Sequence, residues 1–257
     1  MALAVIVDTE ATDKDPKTSQ VIELAEYRIS QTPRQFANAE LPFLISDSMS
    51  ARPSNWLFGH TIPIKFGALA AHHILPEELE GQPLFDGYAM PPHCDYIIGH
   101  NIDFDAELIK LDQAVRRICT LALARFLIPE CDAHNQSALL YYIGAAQDGI
   151  VDQKTGLAWA RDRLKNAHRA SDDVENCAIL LRVLLRLMEK VAPSALDSWE
   201  DVWLFSEEAR IPRVMGFGKH KGEPVESVPM GYVKWYLGTP DQDPMLLKAW
   251  RRAGLIR

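Results

Sequence analysis

The order of apolar segments in this chain predicts an α/β fold built on a mixed sheet flanked by helices, and three observations carry that prediction. β-branched apolar runs come first, near residues 3 to 8, 20 to 30 and 41 to 46, separated by polar turn residues, the pattern of a meander that opens a sheet. From residue 94 onward, strand-like runs alternate with helical ones. The last long apolar run of the body, after residue 170, repeats every three to four residues rather than every two.

LAVIVD, residues 3 to 8, stops at carboxylates, QVIELAEYRIS partly alternates, and LPFLIS supplies a third strand. The Pro-, Gly- and aromatic-rich stretch from 52 to 94 predicts only short helices, near FGALAAHHI and PEELEG. CDYIIGH is a fourth strand, followed by NIDFDAELIKLDQAV with helical spacing at Phe104, Leu108 and Leu111. RRICT makes a fifth strand; TLALARFLIPE and NQSALLYYIG read as helices stopped at Pro129 and Gly144, and a last helix runs from about 170 to 190. VAPSALDSWEDVWLFSEEARIP then reads as a linker with one amphipathic helix, after which MGFGKHKGEPVESVPMGYVKWYL returns to turns and strands. The expected organisation is a five-stranded body at 1–190, a helical linker at 191–210 and a small basic module at 211–257.

A chain of 257 residues with 47% hydrophobic content can bury a sizeable core. The net charge of −8 is unevenly spread: residues 211–257 carry eight Lys or Arg against four acids, while residues 1–210 carry 19 against 31. That asymmetry suggests an acidic catalytic body with a basic accessory piece. No segment approaches about 18 uninterrupted apolar residues and no basic leader precedes one, so a soluble, cytoplasmic protein with no membrane partner is expected. Cys94, Cys119, Cys131 and Cys177 form no CxxC pair, which suggests neither zinc nor a disulfide framework. GxxxxGK, GxGxxG, HExxH and GxSxG are absent, so the enzyme classes built on them lose support.

Three acidic clusters remain: Asp8 and Glu10 in VDTEAT, Asp103 and Asp105 in HNIDFD, and Asp172 and Asp173 in HRASDD. Among 35 acids and 8 histidines, chance produces any one such motif about as often as not, so no single cluster carries a function. Side-chain direction narrows the set. On a helix of about 100° per residue, Ala170, Val174, Cys177, Leu181, Leu184 and Met188 form one stripe, with Asp173 roughly 60° from its centre and Asp172 on the far side. The same construction turns Asp105 inward and Asp103 outward, and in a strand Asp8 and Glu10 share one face.

Four carboxylates, Asp8, Glu10, Asp105 and Asp173, can therefore converge where the first strand ends against two helices. Two unit charges about 4 Å apart repel by about 4 kcal/mol at an effective dielectric of about 20, so a bare cluster must either take up protons or hold cations. Two divalent ions supply the matching charge, and all-oxygen ligands suit Mg²⁺ or Mn²⁺ rather than zinc. Such an ion pair serves phosphodiester hydrolysis, with His168 placed to accept the proton of the attacking water.

These residues resemble the DnaQ-like 3′→5′ exonucleases of the DEDDh type. D-x-E (Asp8, Glu10) before the strand VIELA, H-N-x-x-F-D (His100, Asn101, Phe104, Asp105) and H-x-A-x-x-D (His168, Ala170, Asp173) match that family's three motifs in order, across residues 3 to about 190. The resemblance implies an RNase H-like catalytic domain, with Asp8, Glu10, Asp105 and Asp173 as ligands of two metal ions and His168 as general base. It also implies substrate contacts from Thr9, His100, Asn101 and Phe104. Within the family, CTLALARFLIP, NQSALLYYIG and the tail FGKHKG…YVKWYL are most similar to the exodeoxyribonuclease X group. Ala11, Thr12 and Asp13 depart from the family's usual T-G-Leu after the first motif, and Ala71 to Leu75 match its I-H-x-I-T segment only loosely.

The expected activity is metal-dependent 3′→5′ hydrolysis of DNA, single-stranded or at a duplex 3′ end, with release of nucleoside 5′-monophosphates in repair or recombination. Lys219 and Lys221, near Tyr232, Trp235 and Tyr236, suit phosphate contact with base stacking, although the same aromatics equally suit the core of a small stabilising subdomain. An exoribonuclease on the same scaffold and a non-catalytic nucleic-acid-binding protein stand as alternatives, and a homodimer is left open.

Overall fold

In the computed structural model, residues 3–38, 52–145, 152–165 and 167–257 are described. The central strand β1 (Ala4–Ala11) pairs antiparallel with β2 (Val21–Ile29), which pairs antiparallel with the short edge strand β3 (Ser54–Leu57). On its other side β1 runs parallel to β4 (Tyr96–Gly99), and β4 runs parallel to β5 (Arg116–Cys119). The sheet is mixed and five-stranded, in the order β3-β2-β1-β4-β5, as the sequence predicts. The third strand is Ser54–Leu57; the expected strand at 41–46 lies outside the described residues.

The helices are α1 (Pro33–Asn38), α2 (Phe66–His72), α3 (Ile102–Leu108), α4 (Thr120–Leu127), α5 (Gln136–Ala145), α6 (Gln153–Arg163), α7 (Ala170–Val191), α8 (Trp199–Ala209), α9 (Met230–Leu237) and α10 (Pro244–Arg252). α7 is the main packing element: Val174, Leu181, Leu184 and Met188 are fully buried, and the helix lies on β1 and β2. Each such side chain contributes about 1.5–3 kcal/mol of burial. α3 packs against β1, β4 and β5. Gly99 permits the tight end of β4, because a Cβ there would lie 2.8 Å from Ile102 Cδ1 and 3.1 Å from the Val7 carbonyl.

Two elements differ from the sequence expectation. α6 has no apolar stripe to announce it, only Gly156 and Ala160 buried, and is started instead by Asp152, whose side chain accepts from Thr155 N–H at 3.1 Å. Residues 211–257 fold mainly as α9 and α10 rather than as strands, with an isolated Val214–Pro224 bridge as their extended pairing. The β-forming residues of YVKWYL are overridden because Tyr232, Val233 and Tyr236 recur at helical spacing and fill a shared core with Leu246, Ala249 and Trp250. Asp243 caps α10 by accepting from Met245 N–H at 2.8 Å, ahead of Pro244. The chain divides into two units, Met1–Ser206 and Glu207–Arg257.

Candidate active site

Because β1 and β4 are parallel, both end at the same edge of the sheet, where α3 starts and the N-terminal end of α7 crosses β1 and β2. The topology thus delivers Asp8 and Glu10 from β1, Asp105 from α3 and Asp173 from α7 to one place. Their orientation follows the two periodicities. Asp105 is 5% exposed and Asp173 8%, whereas Asp103 is exposed; Asp8 and Glu10 are half-buried on the strand face between the buried Val7, Thr9 and Ala11.

Glu10, His168 and Asp173 each offer a ligand atom, and these atoms lie within 4.8 Å of one another. This group can hold a metal ion. Asp8 and Asp105 stand outside it but are felt electrostatically. Burial, then the charges of Asp105, Asp173 and Glu10, push the Asp8 carboxyl well above its ordinary range. Burial, then Asp173, Glu23 and Asp105, raise Glu10 to about 9. Asp105 rises to about 7 through burial, opposed by the Thr9 hydroxyl, which donates to its Oδ1 at 2.6 Å. Burial also raises Asp173, opposed by the nearby His168 and by the His168 backbone N–H, which donates to Asp173 Oδ2 at 3.0 Å. The carboxylate oxygens of Glu10 and Asp173, with the His168 imidazole beside them and the charges of Asp8 and Asp105 nearby, fit hard divalent cations.

The HRASDD segment makes two further connections. His168 occupies the left-handed region at φ 68°, and the next residue, Arg169, is the N-cap of α7 in extended conformation. The Arg169 guanidinium reaches Glu23 on β2 by two hydrogen bonds, Nη2 to Oε1 at 3.1 Å and Nε to Oε2 at 3.2 Å. Glu23 is fully buried, and it also accepts from Ala170 N–H at 3.0 Å and Asn55 Nδ2 at 2.9 Å. Sequence reasoning left Arg169 without a part and passed over Glu23. The available signal was a charged residue inside the apolar run VIELA, where the nearest cation in sequence, Arg28, is taken up by Glu26. Asp172, taken from the helical wheel as a plain surface acid, is half-buried and lines a cavity of about 490 Å³ with His72, His73, Lys165, Arg169 and Ser171.

The expected substrate contacts fall in several places. Thr9 is 7% exposed and its hydroxyl is engaged by Asp105. The His100 ring lies between Thr120 Oγ1 at 3.0 Å and the His134 carbonyl at 2.9 Å, and burial lowers its pKa to about 4, so at neutral pH it is an uncharged tie between loops. Asn101 is exposed at φ 69°, as N-cap of α3, and Phe104, three residues on within α3, is half-buried. Lys219 and Lys221 are exposed in the second unit, with Lys219 Nζ 5.6 Å from the Tyr232 ring centre and Tyr232 5.1 Å from Trp235, which is 60% exposed.

No protein-family model matches the chain, and no curated relative matches it. Solved structures do resemble it. E. coli exonuclease I in complex with a dT13 oligonucleotide aligns over 100% of this chain and 69% of its own, at 13% identity and a TM-score of 0.53. A second structure of exonuclease I aligns over 100% of this chain and 68% of its own, at 14% identity and a TM-score of 0.52. Exonuclease X in complex with 5′ overhanging duplex DNA aligns over 78% of this chain and 99% of its own, at 19% identity and a TM-score of 0.49. At such identities the likeness to exonuclease I is one of fold: a mixed five-stranded sheet flanked by helices, of the RNase H-like kind.

Proposed function

We propose that this chain is a divalent-metal-dependent 3′→5′ exodeoxyribonuclease that releases nucleoside 5′-monophosphates, acting in the cytoplasm in DNA repair or recombination. The observation that carries the reading is convergence. Residues from two sequence motifs far apart in the chain, Glu10 of the first and His168 and Asp173 of the third, present ligand atoms within 4.8 Å of one another. Asp8, from the first motif, and Asp105, from the second, add further negative charge to a site in which the Glu10 and Asp8 carboxyls are both raised. The fold shared with exonuclease I, solved with an oligonucleotide, supports reading the chain as a nuclease. The motif set is what supports reading the chain as a DnaQ-like DEDDh enzyme, and the resemblance of CTLALARFLIP, NQSALLYYIG and FGKHKG…YVKWYL to the exodeoxyribonuclease X group supports the narrower reading.

Asp8, Glu10, Asp105 and Asp173 would hold two Mg²⁺ or Mn²⁺ ions, which when bound supply charge neutralisation, activation of a water and stabilisation of the leaving oxygen. The chain's own groups do the rest. His168 accepts the proton as the water oxygen bonds to phosphorus, and the P–O3′ bond breaks, the leaving oxygen taking a proton from solvent to become the new 3′-hydroxyl of the shortened strand. Thr9 holds Asp105 in its orientation, and the His168 backbone N–H does the same for Asp173. Residues 1–190 form the catalytic domain, and residues 211–257, through Lys219, Lys221 and the exposed Trp235, hold the strand by phosphate contact and stacking.

Digestion of end-labelled single-stranded DNA, duplex DNA and RNA by the full chain tests this. The expected result is stepwise loss of mononucleotides from the DNA 3′ end, abolished by EDTA. Activity that survives excess EDTA overturns the metal scheme. Preferential RNA digestion converts the enzyme into an exoribonuclease, and full binding with no turnover in Mn²⁺ leaves only a nucleic-acid-binding protein.

A further inference from the structure

We propose that the Glu23–Arg169 ion pair is the positioning device for His168: it anchors the chain one residue beyond the imidazole, so that the ring is presented to Glu10 and Asp173. The inference rests on the reading of His168 as general base. His168 is itself exposed, sits in a left-handed backbone conformation that few non-glycine residues adopt, and precedes rather than belongs to α7. A residue in that setting holds one orientation only if its neighbours are fixed. Arg169 supplies the fixing, through a two-point guanidinium–carboxylate contact that a lysine cannot reproduce. The Ala170 N–H, at the start of α7, binds the same carboxylate.

Glu23 is also the cross-strand partner of Glu10 in the β1–β2 ladder. One rung therefore carries a proposed metal ligand on one strand and the anchor of the proposed base on the other, which ties their separation to sheet geometry. Arg169 further offsets the charge of Glu23, whose field still reaches Glu10 and Asp8, and the same guanidinium draws the Glu10 pKa back down. A direct role of Arg169 in binding a strand phosphate is the competing account, since Arg169 also lines the cavity with Lys165.

The test separates the two. R169M and E23Q should each lower kcat by about 10²-fold with KM changed less than about threefold, the loss expected for a misplaced catalytic group. R169K, which keeps the charge and one hydrogen bond, should recover roughly a tenth of wild-type kcat. In an H168A background R169M should cost less than about threefold, because the group it positions is gone. An undiminished loss in that background overturns the proposal, as does a raised KM with unchanged kcat, which marks Arg169 as a substrate contact. A second measurement is independent of turnover: Mn²⁺ should broaden the His168 ring proton signals strongly in the wild type and weakly in E23Q and R169K. Equal broadening in all three overturns the positioning role. Absence of nuclease activity alongside the differential broadening instead removes the proposed activity and leaves the positioning role standing.

Discussion

Glu10 and Glu23 face each other across the β1–β2 ladder, one residue type on neighbouring strands, and the protein treats them in opposite ways. Glu23, with no exposed surface, has its carboxylate filled by Arg169, the Ala170 N–H and Asn55. Glu10, which retains some exposure, gathers other acids instead, and its pKa rises to about 9. Glu26, also on β2, repeats the first treatment, with Arg28 Nε and the Tyr88 hydroxyl each at 2.6 Å. Burial of a carboxylate is thus no mark of function in this sheet. What separates these three carboxylates is whether the fold supplies the counter-charge, and Glu10 on β1 is the one that leaves much of it to come from outside.

The largest effect that can break the comparison is on turnover. Glu10→Gln and Asp173→Asn should each lower kcat by at least about 10³-fold, because each removes a charge the site cannot replace. Asp172→Asn should change it by no more than a few-fold. End-labelled single-strand digestion under saturating Mg²⁺ measures all three, and equal losses in the two aspartate variants would sink the distinction between them.

The same rung should split in stability with the opposite sign. Glu23→Gln leaves Arg169 partly unpaired and should cost about 2–3 kcal/mol, below the figure for a fully buried pair because the Arg169 side chain is 36% exposed. Glu10→Gln should raise the stability of the metal-free protein by about 1–2 kcal/mol at pH 8, since it removes a carboxylate that the fold must protonate but the unfolded chain leaves ionised. Chemical denaturation in EDTA reads both changes, and a destabilised Glu10→Gln variant would show that its surroundings already satisfy that carboxylate.

Much of this contrast was legible in the sequence, and its limits are physical. The mixed sheet followed from strand runs that precede a strand–helix alternation, and the inward turn of Asp105 and Asp173 followed from the helical period alone. Asp8 and Glu10 shared a face because strands alternate. Glu23 was not legible, because its partner Arg169 lies 146 residues away and sequence periodicity reports faces rather than long-range pairs. Asp172 looked like a surface acid because a helical wheel knows nothing of α2, whose His72 lines the same cavity. The second unit was misread as strands because Tyr, Val and Trp favour strands in general, and only their packing with Trp250 reveals the helix.

The pH dependence of the metal-free protein sharpens the comparison further. Glu10 has a folded-state pKa of about 9 against an ordinary value of 4.5, so the fold binds a proton there that the unfolded chain has already lost. Stability from this group is present below about 4.5 and is lost as pH rises toward about 9; Asp105, raised to about 7, adds loss in the lower part of that window. The melting temperature in EDTA should therefore fall by several degrees between pH 5 and pH 9, with 1 kcal/mol corresponding to about 2–4 °C in a chain of this size. Saturating Mg²⁺ should flatten the profile, and its binding at pH 8 should release protons measurable by calorimetry in two buffers of different ionisation enthalpy. A metal-free profile that rises across this range would mean that cations of the protein itself already balance the cluster.

The smallest expected effect lies in the second unit, where lysines stand beside aromatic rings rather than beside acids. Lys219→Ala with Lys221→Ala should raise KM for single-stranded DNA by about 2- to 10-fold with kcat little changed, and should make the slope of log KM against log salt shallower by up to about 1.4. Trp235→Ala should raise KM without altering that slope, because stacking releases no counterions. This distinction is available because Trp235, beside Tyr232, is largely exposed, whereas Trp250 is fully buried in the core that Tyr232 shares. If the lysine pair leaves both KM and the salt slope untouched, the aromatics serve only the packing of residues 207–257, and the positive charge of that unit meets no strand.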